Sequence, residues 1–415
     1  MSAHPVRAPT TGTPNRLTPL RFVISFGVVS ALADVVYEGA RSIIGPFLGD
    51  LGASAALIGL ITGAGEAAAL VFRLVTGWLA DRTGRHWALT IAGYALTIAC
   101  VPLLALSPGL LSAGLLYNGE RFGKAVRTPA RDTMLAHASV KLGRGWAFGL
   151  HEAIDQSGAF LGPLLLAGVL AAGGSFRTGF ALLAIPGAAA LAVLLRLRAA
   201  APDPTAFDPS AGLSDAKKLR LGTRLPTRFW LYAAFSAATM LGFATWAVLA
   251  YHLTTQGVLP IDLVPVLYAA AMGAAALSAL AFGRIYDRVG LRGLVVLPVL
   301  TAAVPFLSFT RTIALVILGA VVWGAAMGAH ESTLRAAVAD LVPAHSRGAG
   351  YGTFAAIYGL GWLTGASVIG ALYGYGITAI ASFVLATQTL ALVLLIPLLA
   401  TRTKLTWPRS WSGAG

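Results

Sequence analysis

The sequence has few charged residues: only 11% of its 415 residues are Asp, Glu, Lys or Arg, whereas 57% are hydrophobic. Soluble domains average about 25% charged residues, so this chain is too apolar to cover its own surface in water. A lipid bilayer removes that requirement, because the exterior of a membrane protein is itself apolar. The composition therefore predicts an integral membrane protein with the lipid bilayer as its solvent.

Other absences narrow the function. The single cysteine, Cys100, cannot form an internal disulfide, so the redox compartment cannot be read from it. The sequence contains no phosphate-binding loop of the G-x-x-x-x-G-K-S/T type and no Cys/His spacing typical of a metal site. We therefore expect no cofactor and no metal. The net charge of +14 does not indicate nucleic-acid binding, because the basic residues fall in loops on one side of the predicted membrane.

Long apolar segments recur along the chain. Crossing the hydrocarbon takes about 20 residues in a helix. Segments of about this length or longer are predicted as transmembrane helices at 21–47, 56–79, 87–107, 109–134, 145–171, 177–198, 229–255, 262–282, 292–309, 312–338, 347–373 and 376–400. The predicted fold class is an all-α membrane protein with twelve transmembrane helices in two pseudo-symmetric six-helix bundles.

The distribution of polar residues divides the chain. The longest polar stretch between the apolar segments separates two halves of six predicted helices each. The predicted parts are a disordered cytoplasmic tail at 1–20, an N-terminal bundle at 21–198, a cytoplasmic linker at 199–228, a C-terminal bundle at 229–400 and a cytoplasmic tail at 401–415. Of the Lys and Arg residues in the loops, tails and helix ends, only Arg177 and Arg311 lie on the side opposite the tails. This bias places both termini in the cytoplasm of a cell membrane.

The two halves repeat short motifs. Gly77-Trp-Leu-Ala-Asp-Arg-Thr-Gly84 follows the second predicted helix, and Gly283-Arg-Ile-Tyr-Asp-Arg-Val-Gly290 follows the eighth. Helices five and eleven also match, because Arg144, Gly145, Gly149, Gly158 and Gly162 correspond to Arg347, Gly348, Gly352, Gly361 and Gly365. Parallel repeats of this kind place a central cavity at the pseudo-two-fold axis, where a substrate can be exposed to alternate sides.

The loop motif resembles the signature of the major facilitator superfamily, and the resemblance covers about residues 21–400. It implies a secondary transporter, normally a monomer, that moves a small-molecule substrate by alternating access. The residues to which the resemblance assigns conformational gating are Gly77, Asp81, Arg82, Gly84, Arg85, Gly283, Asp287, Arg288 and Gly290. Their chemistry fits this role, because the glycines permit tight turns and Asp81 can accept from a helix N-terminus or an arginine.

Predicted helix five resembles a motif of the drug:proton antiporter branch of that superfamily. Gly149, Gly158, Gly162 and Pro163 match, but Leu166 and Ala167 stand where the branch has two glycines. Predicted helix four departs from the family pattern. Arg121 can stand for the family arginine, but the usual glutamine is absent and the helix carries extra basic residues.

Ionised groups inside a membrane cost roughly 2.5–3.5 kcal/mol each at the bilayer centre, so they are expected to be functional or paired. Most such residues here lie in the N-terminal half. Burial and a neighbouring cation act in opposite directions on a carboxyl pKa, so a carboxylate near a lysine or arginine can act as a proton switch. The proton-coupling candidates are Asp34 and Asp155, then Glu120 and Glu66. The alternative is that these charges form fixed ion pairs between helices.

The remaining polar side chains in the predicted helices are candidates for substrate binding. They are Glu38, Arg41, Arg121, Lys124, Arg127, Glu152, Tyr358, Trp362, His330 and Glu331. Glu120, Lys124, Arg127 and Arg131 are spaced to share one face of helix four. Tyr358 corresponds to Asp155 in the internal repeat, so both are expected to face the same cavity.

Three functions are compatible with these patterns. The favoured one is a proton-coupled exporter of a small polar or charged solute, working as an antiporter. The second is a symporter or facilitator that imports an organic anion. The third is a membrane sensor or intramembrane enzyme using His330-Glu331 or His151-Glu152, which the doubled loop motif argues against. The sequence thus predicts a transporter and not an enzyme.

Overall fold

The protein is described by a computed structural model covering residues 17–208, 225–342 and 347–400, without the side chains of residues 144, 145, 334–336, 339 and 347–349. The described chain is built from helices and short connections, with no β-strand in these ranges. Most of the predicted tails and the central part of the predicted linker, at 209–224, lie outside the described residues. The repeat partners Arg144 and Arg347 belong to helices, but their side chains are also outside the description.

Within the described residues, the first half contains seven α-helices. They are α1 (Pro19–Asp50), α2 (Ala55–Thr83), α3 (His86–Leu103), α4 (Leu110–Ser139), α5 (Arg144–Ala171), α6 (Phe176–Leu182) and α7 (Ala184–Ala200). The second half also contains seven. They are α8 (Thr227–Leu241), α9 (Trp246–Thr255), α10 (Leu263–Val289), α11 (Val296–Ser308), α12 (Ile313–Leu341), α13 (Arg347–Leu372) and α14 (Ile377–Ala400).

Ten segments of the described chain are long and apolar enough to cross a membrane. One of them, Leu263–Ser308, holds both α10 and α11 with a short 3-10 segment between them. Helix α4 is not among the ten, although its 30 residues exceed the length needed to span the hydrocarbon. Its charged side chains account for this difference. The protein is thus a multi-pass membrane protein, and the number of twelve spans stays a prediction.

Two predicted helices are interrupted. The sixth, predicted at 177–198, is divided into α6 and α7 at Leu183. The seventh, predicted at 229–255, is divided into α8 and α9 by residues 242–245. Non-helical backbone at membrane depth is tolerated where protein buries it, and residues 243–245 are buried. Hydropathy alone could not predict these breaks, because the residues on both sides are equally apolar.

Glycines allow α1 and α5 to approach each other closely, and the same contact recurs in the second half between α8 and α13. A Cβ atom on Gly158, Gly162 or Gly365 would collide with backbone atoms of the partner helix, and one on Gly361 would come within 3.0 Å of a backbone oxygen. The pairs are Gly158 with Ala31, Gly162 with Val35, Gly361 with Ala237 and Gly365 with Leu241. The repeat that the sequence predicts for helices five and eleven therefore corresponds to a repeated packing contact.

The two halves touch backbone to backbone at the end of the molecule opposite the Gly77–Gly84 loop motif, and the contact between α2 and α13 continues to Gly352, which lies against the Leu74 side chain near that motif. Helix α1 packs against α9, and α2 packs against α13. Gly45 lies on the backbone of Ala247, and Gly59 lies on the backbone of Ala366, so backbone touches backbone at both places. This geometry closes that end of the interface between the halves.

Candidate functional site

Five buried side chains of α1, α2 and α4 form a continuous chain of ion pairs, here called the paired cluster. Arg41 Nη2 lies 2.9 Å from Glu66 Oε1, and Arg41 Nη1 lies 3.5 Å from Glu38 Oε1. Arg121 Nη1 lies 3.4 Å from the same Glu66 oxygen, and Arg121 Nε lies 2.8 Å from Glu120 Oε2. Two of the proton-coupling candidates, Glu66 and Glu120, are therefore in ion pairs.

The second half contacts the paired cluster through two aromatic residues. Tyr268 of α10 donates a short hydrogen bond to Glu38 Oε2. Trp246 of α9 donates from Nε1 to the carbonyl oxygen of Ser42 at 3.1 Å. A small cavity beside Arg41 and Glu66 is large enough for about one water molecule. The cluster thus joins the two halves near their closed end.

Four other charged side chains form a second group, here called the unpaired cluster: Asp34 of α1, Lys124 and Arg127 of α4, and Asp155 of α5. None of them is in an ion pair within the described part of the chain. Asp34 is only 5% exposed, and Asp155 Oδ1 is buried without a described hydrogen-bond partner. Asp34 nevertheless lies within electrostatic range of Asp155, Lys124 and Arg127. The structure therefore brings together the two leading proton-coupling candidates and two basic substrate candidates.

Aromatic rings cover the cations of the unpaired cluster. Lys124 Nζ donates to Tyr37 Oη at 2.8 Å and lies 4.2 Å from the centre of the Tyr37 ring. Arg127 Cζ lies 4.4 Å from the ring centre of Tyr94 and 5.4 Å from that of Tyr37. These distances are typical of cation–π interactions. Such interactions compensate part of the hydration that the two cations lose on burial.

A hydrogen-bond network around Ser30 adjoins the unpaired cluster. Ser30 Oγ lies 2.9 Å from Tyr94 Oη and 3.1 Å from His151 Nε2, and Arg131 Nη1 donates to Ser30 Oγ at 3.2 Å. Arg131 also pairs with its neighbour Asp132. The predicted common face of α4 is therefore divided: Lys124 and Arg127 share Tyr37, Arg131 reaches Ser30, and Glu120 belongs to the paired cluster.

The structure also brings His151, Glu152 and Asp155 together on α5. One potential ligand atom of each lies within 4.8 Å of the other two, a spacing that a cation could bridge. The guanidinium of Arg131 interacts electrostatically with both His151 and Asp155, which opposes cation binding there. The spacing along α5 predicts this grouping, because His151 and Asp155 are four residues apart and share a face of the helix, with Glu152 beside them.

The candidates Tyr358, Trp362 and His330 of the second half lie in an aromatic group around Phe243. Tyr358 contacts His330 and Trp362, with ring centres 6.3 and 6.0 Å apart, and Phe243 contacts His330 and Trp362 at 5.6 and 6.0 Å. The neighbouring Glu331 is exposed. Phe243 also stacks on Trp323, whose ring lies beside those of Trp246 and Tyr268, so the described ring contacts lead from Trp362 toward the paired cluster and not toward Asp155. The expectation that Tyr358 and Asp155 face one cavity therefore stays a prediction.

The loop-motif residues lie at the end opposite the closed contact between the halves. Gly84 has φ +61° and ends α2, and Gly290 has φ +61° and follows α10, so both turns require glycine. Asp81, Arg82, Arg85, Asp287 and Arg288 are exposed. Within the described residues Asp81 makes no ion pair. Gly77 approaches Pro129 of α4, and Gly283 has open space around it.

The predicted helix-five motif has unequal members. Gly158 and Gly162 make the close contact with α1, and Pro163 lies inside α5. Gly149, in contrast, has no atom within 4 Å of where a Cβ would stand. Because α1 carries Asp34 and α5 carries Asp155, the glycine contact is what allows these carboxylates to lie near each other.

Sequence reasoning missed the tyrosines. Tyr37, Tyr94 and Tyr268 each contact a charged candidate, and Tyr117 lies under Arg121 at 5.4 Å. A signal was available for two of them, because Tyr37 follows Asp34 by one helical turn and Tyr117 precedes Arg121 by one turn of α4. Tyr94 and Tyr268 lie on helices other than those of the charges they contact, and only the tertiary packing brings them together.

The fold and the buried charges define a class: a multi-pass helical membrane protein with charged groups enclosed between its helices. Comparison with known proteins names the family. The sequence model of the Major Facilitator Superfamily matches residues 26–366 and 260–412. The chain belongs to this superfamily, and it is a membrane transporter of that type.

Individual relatives agree with this assignment. An uncharacterized protein of Mycobacterium tuberculosis strain H37Rv is 49% identical over 380 residues, which cover 91% of this chain and 93% of that protein. An MFS-type transporter of Methanocaldococcus jannaschii is 26% identical over 364 residues, covering 85% and 88% of the two chains. Among solved structures, the nucleoside transporter NupG is similar with a TM-score of 0.71 at 16% identity, covering 91% of this chain and 98% of that one. At this identity the similarity shows the fold alone.

Proposed function

We propose that this transporter moves a small polar or charged solute by alternating access, coupled to protons, with export as the favoured direction. The observation that carries the coupling is the state of Asp34. Its carboxyl group is buried, makes no described ion pair or hydrogen bond, and lies near Asp155. A carboxyl group in such a place can take up and release a proton without breaking an ion pair.

The two clusters divide the transport tasks in this proposal. The unpaired cluster provides the proton site, with Asp34 and Asp155 as carriers and Lys124 and Arg127 as nearby cations. The paired cluster, which Tyr268 and Trp246 link to the second half, holds one end of the interface closed. The export direction is supported by the resemblance of helix five to the antiporter motif and by the close α1–α5 contact that Gly158 and Gly162 allow.

The loop motif provides the gating part of the proposal. Its charged residues are exposed at one end, while backbone contacts close the opposite end. We infer that the reverse rocking movement brings Asp81 and Arg82 into contact with neighbouring helices and opens the Gly45–Ala247 and Gly59–Ala366 contacts. We further propose that both termini are cytoplasmic, which places the contacts of Gly45 and Gly59 on the outer side.

The experiment is transport in proteoliposomes with an imposed pH gradient and a panel of labelled solutes. Wild type is compared with Asp34→Asn and Asp155→Asn. We expect wild type to move a solute against its gradient, and each variant to lose uphill movement while keeping solute exchange. Asp50→Asn is the matched control, because Asp50 is an exposed acid at the end of the same helix as Asp34.

The outcome also decides the direction. Accumulation driven by an opposing proton gradient means export by exchange, whereas accumulation along the proton gradient means import by symport. If wild-type flux ignores the pH gradient and both variants behave like wild type, proton coupling is wrong. The carboxylates are then structural, and the protein is a facilitator.

A further inference from the structure

Arg127 stands apart from the other buried arginines. It is only 2% exposed, and its Nε and Nη1 atoms have no hydrogen-bond partner among the described residues. Two N–H groups of Arg121, at Nε and Nη2, also lack a described hydrogen bond, but Arg121 and Arg41 each contact two carboxylates, whereas Arg127 contacts none among the described residues. Buried guanidinium groups normally have their N–H donors satisfied, because an unsatisfied buried donor on a charged group is costly. Arg127 therefore has donors available for a group that this chain does not supply.

The surroundings of Arg127 partly stabilise its buried guanidinium when no anion is bound. The rings of Tyr94 and Tyr37 lie against its guanidinium, and such contacts are worth about 2 kcal/mol when desolvated. This is less than the penalty for burying an unpaired charge, which is several kcal/mol per ion. The rings compensate the cation partly, so an anion that accepts from its free N–H groups would be strongly favoured.

Lys124 is the second cation that contacts the Tyr37 ring. It lies one turn before Arg127 on α4, it is partly exposed, and it contacts the same Tyr37 ring. Its ammonium group has three N–H donors, of which the described structure uses one, toward Tyr37 Oη. Because Tyr37 Oη accepts from Lys124, its own proton is available to another acceptor. The two cations and one hydroxyl thus present several donors around Tyr37.

We propose that Lys124 and Arg127, framed by Tyr37 and Tyr94, bind an oxyanion group of the transported solute, a carboxylate or a phosphate. This inference rests on the proposed transport function and names the substrate class of its site. The guanidinium fork matches the geometry of both groups, because two parallel N–H donors can reach two oxygens.

The position of the site favours a solute over a lipid headgroup. Arg127 lies between helices, because Gly93 of α3 approaches its backbone so closely that a Cβ there would come within 2.7 Å of Arg127 Cβ. Tyr94 on α3 and Tyr37 on α1 cover the rest of the side chain. An anionic headgroup at the outer surface of the molecule would meet exposed side chains instead.

The test measures anion binding by thermal unfolding of the full-length protein in a nonionic detergent. The probes are inorganic phosphate and succinate, with chloride at equal ionic strength as the reference. Variants Arg127→Gln, Arg127→Lys and Lys124→Gln are compared with wild type. Arg198→Gln is the matched control, because Arg198 is an exposed arginine at the end of α7.

We expect phosphate or succinate to raise the Tm of wild type and of the control with increasing concentration, because a ligand stabilises the state that binds it. Loss of a hydrogen-bonded charge predicts affinity lower by roughly 10- to 150-fold in Arg127→Gln. Arg127→Lys should be intermediate, because it keeps the charge and loses the fork. The proposal is overturned if neither anion raises the wild-type Tm beyond chloride, or if Arg127→Gln and Lys124→Gln keep wild-type affinity.

Two further arms separate the alternatives. If Arg127→Gln does not fold, Lys124→Gln and Tyr37→Phe decide the proposal by the same criterion. If the anion effect disappears in phosphatidylglycerol nanodiscs but remains in phosphatidylcholine nanodiscs, a lipid headgroup occupies the site and the proposal is wrong.

The two experiments distinguish failure of the anion site from failure of the proposed proton coupling. Anion binding that survives in Asp34→Asn, together with pH-independent flux in wild type, supports the anion site and overturns proton coupling. Proton-driven flux in wild type, without any effect of phosphate or succinate on the Tm, supports proton coupling and overturns the anion site.

Discussion

The paired and unpaired clusters share helices α1 and α4, but the charges of the two clusters are compensated differently. In the paired cluster, two arginines and three carboxylates contact one another at 2.8–3.5 Å. In the unpaired cluster, two cations lie against tyrosine rings and two carboxyl groups have no described ion pair. Helix α4 contributes to both, with Arg121 in one and Arg127 in the other.

The difference separates structural charges from functional ones. Breaking a buried ion pair leaves an uncompensated charge, so the paired cluster should be sensitive to any single neutralisation. Neutralising a member of the unpaired cluster leaves no described ion-pair partner behind. Its members are therefore free to exchange protons and ligands during transport, and their loss should affect activity more than stability.

The largest expected effect is on stability, from Arg121→Gln. This change leaves Glu120 without its cation and weakens the neutralisation of Glu66, so the free energy of unfolding should fall by roughly 3–5 kcal/mol. SDS titration in mixed micelles measures it. Arg127→Gln on the same helix is the control and should lose far less. Equal losses in the two variants would show that the comparison between the clusters is wrong.

Tyr268→Phe tests whether the paired cluster extends into the second half. The change removes the hydrogen bond to Glu38 and should lower the free energy of unfolding by roughly 1.5–3 kcal/mol, because the acceptor is charged. The same titration measures the loss. Tyr251→Phe is the control, because the Tyr251 hydroxyl makes no hydrogen bond within the described residues. A Tyr268→Phe variant as stable as this control would restrict the cluster to the first half.

Gly158→Leu tests the packing that brings Asp34 and Asp155 together. Its side chain would collide with the backbone of Ala31, and overpacking costs about 1–3 kcal/mol. We expect lower stability together with loss of uphill transport in proteoliposomes. Gly149→Ala is the matched control, because nothing lies within 4 Å of its Cβ position, and it should keep both. Normal transport by Gly158→Leu would show that the function of Asp34 and Asp155 does not depend on the α1–α5 contact.

The smallest expected effect on stability is that of Asp34→Asn. No described ion pair is lost, so the free energy of unfolding should stay within about 1 kcal/mol of wild type or rise. Glu66→Gln is compared in parallel, because it removes the carboxylate shared by Arg41 and Arg121. If the free energy of unfolding falls as much in Asp34→Asn as in Glu66→Gln, Asp34 is a structural charge like the members of the paired cluster.

Much of this arrangement could be predicted from residue spacing within single helices. Asp34, Glu38 and Arg41 are spaced to share one face of α1, and the structure confirms contact between the last two. The partners on other helices could not be predicted, because spacing gives the direction of a side chain but not what lies opposite. Glu66 was therefore a candidate for proton coupling, although Arg41 and Arg121 both contact it.

The sequence by itself determined the membrane location, the transporter family and the internal repeat, because apolar length, glycine motifs and their spacing are local properties of the chain. The tertiary structure alone decided which charges are paired. Arg121 and Arg127 are the same residue type, less than two turns apart on one helix. One faces carboxylates and the other faces Tyr37 and Tyr94, and that difference follows from how α1, α2 and α3 pack around α4.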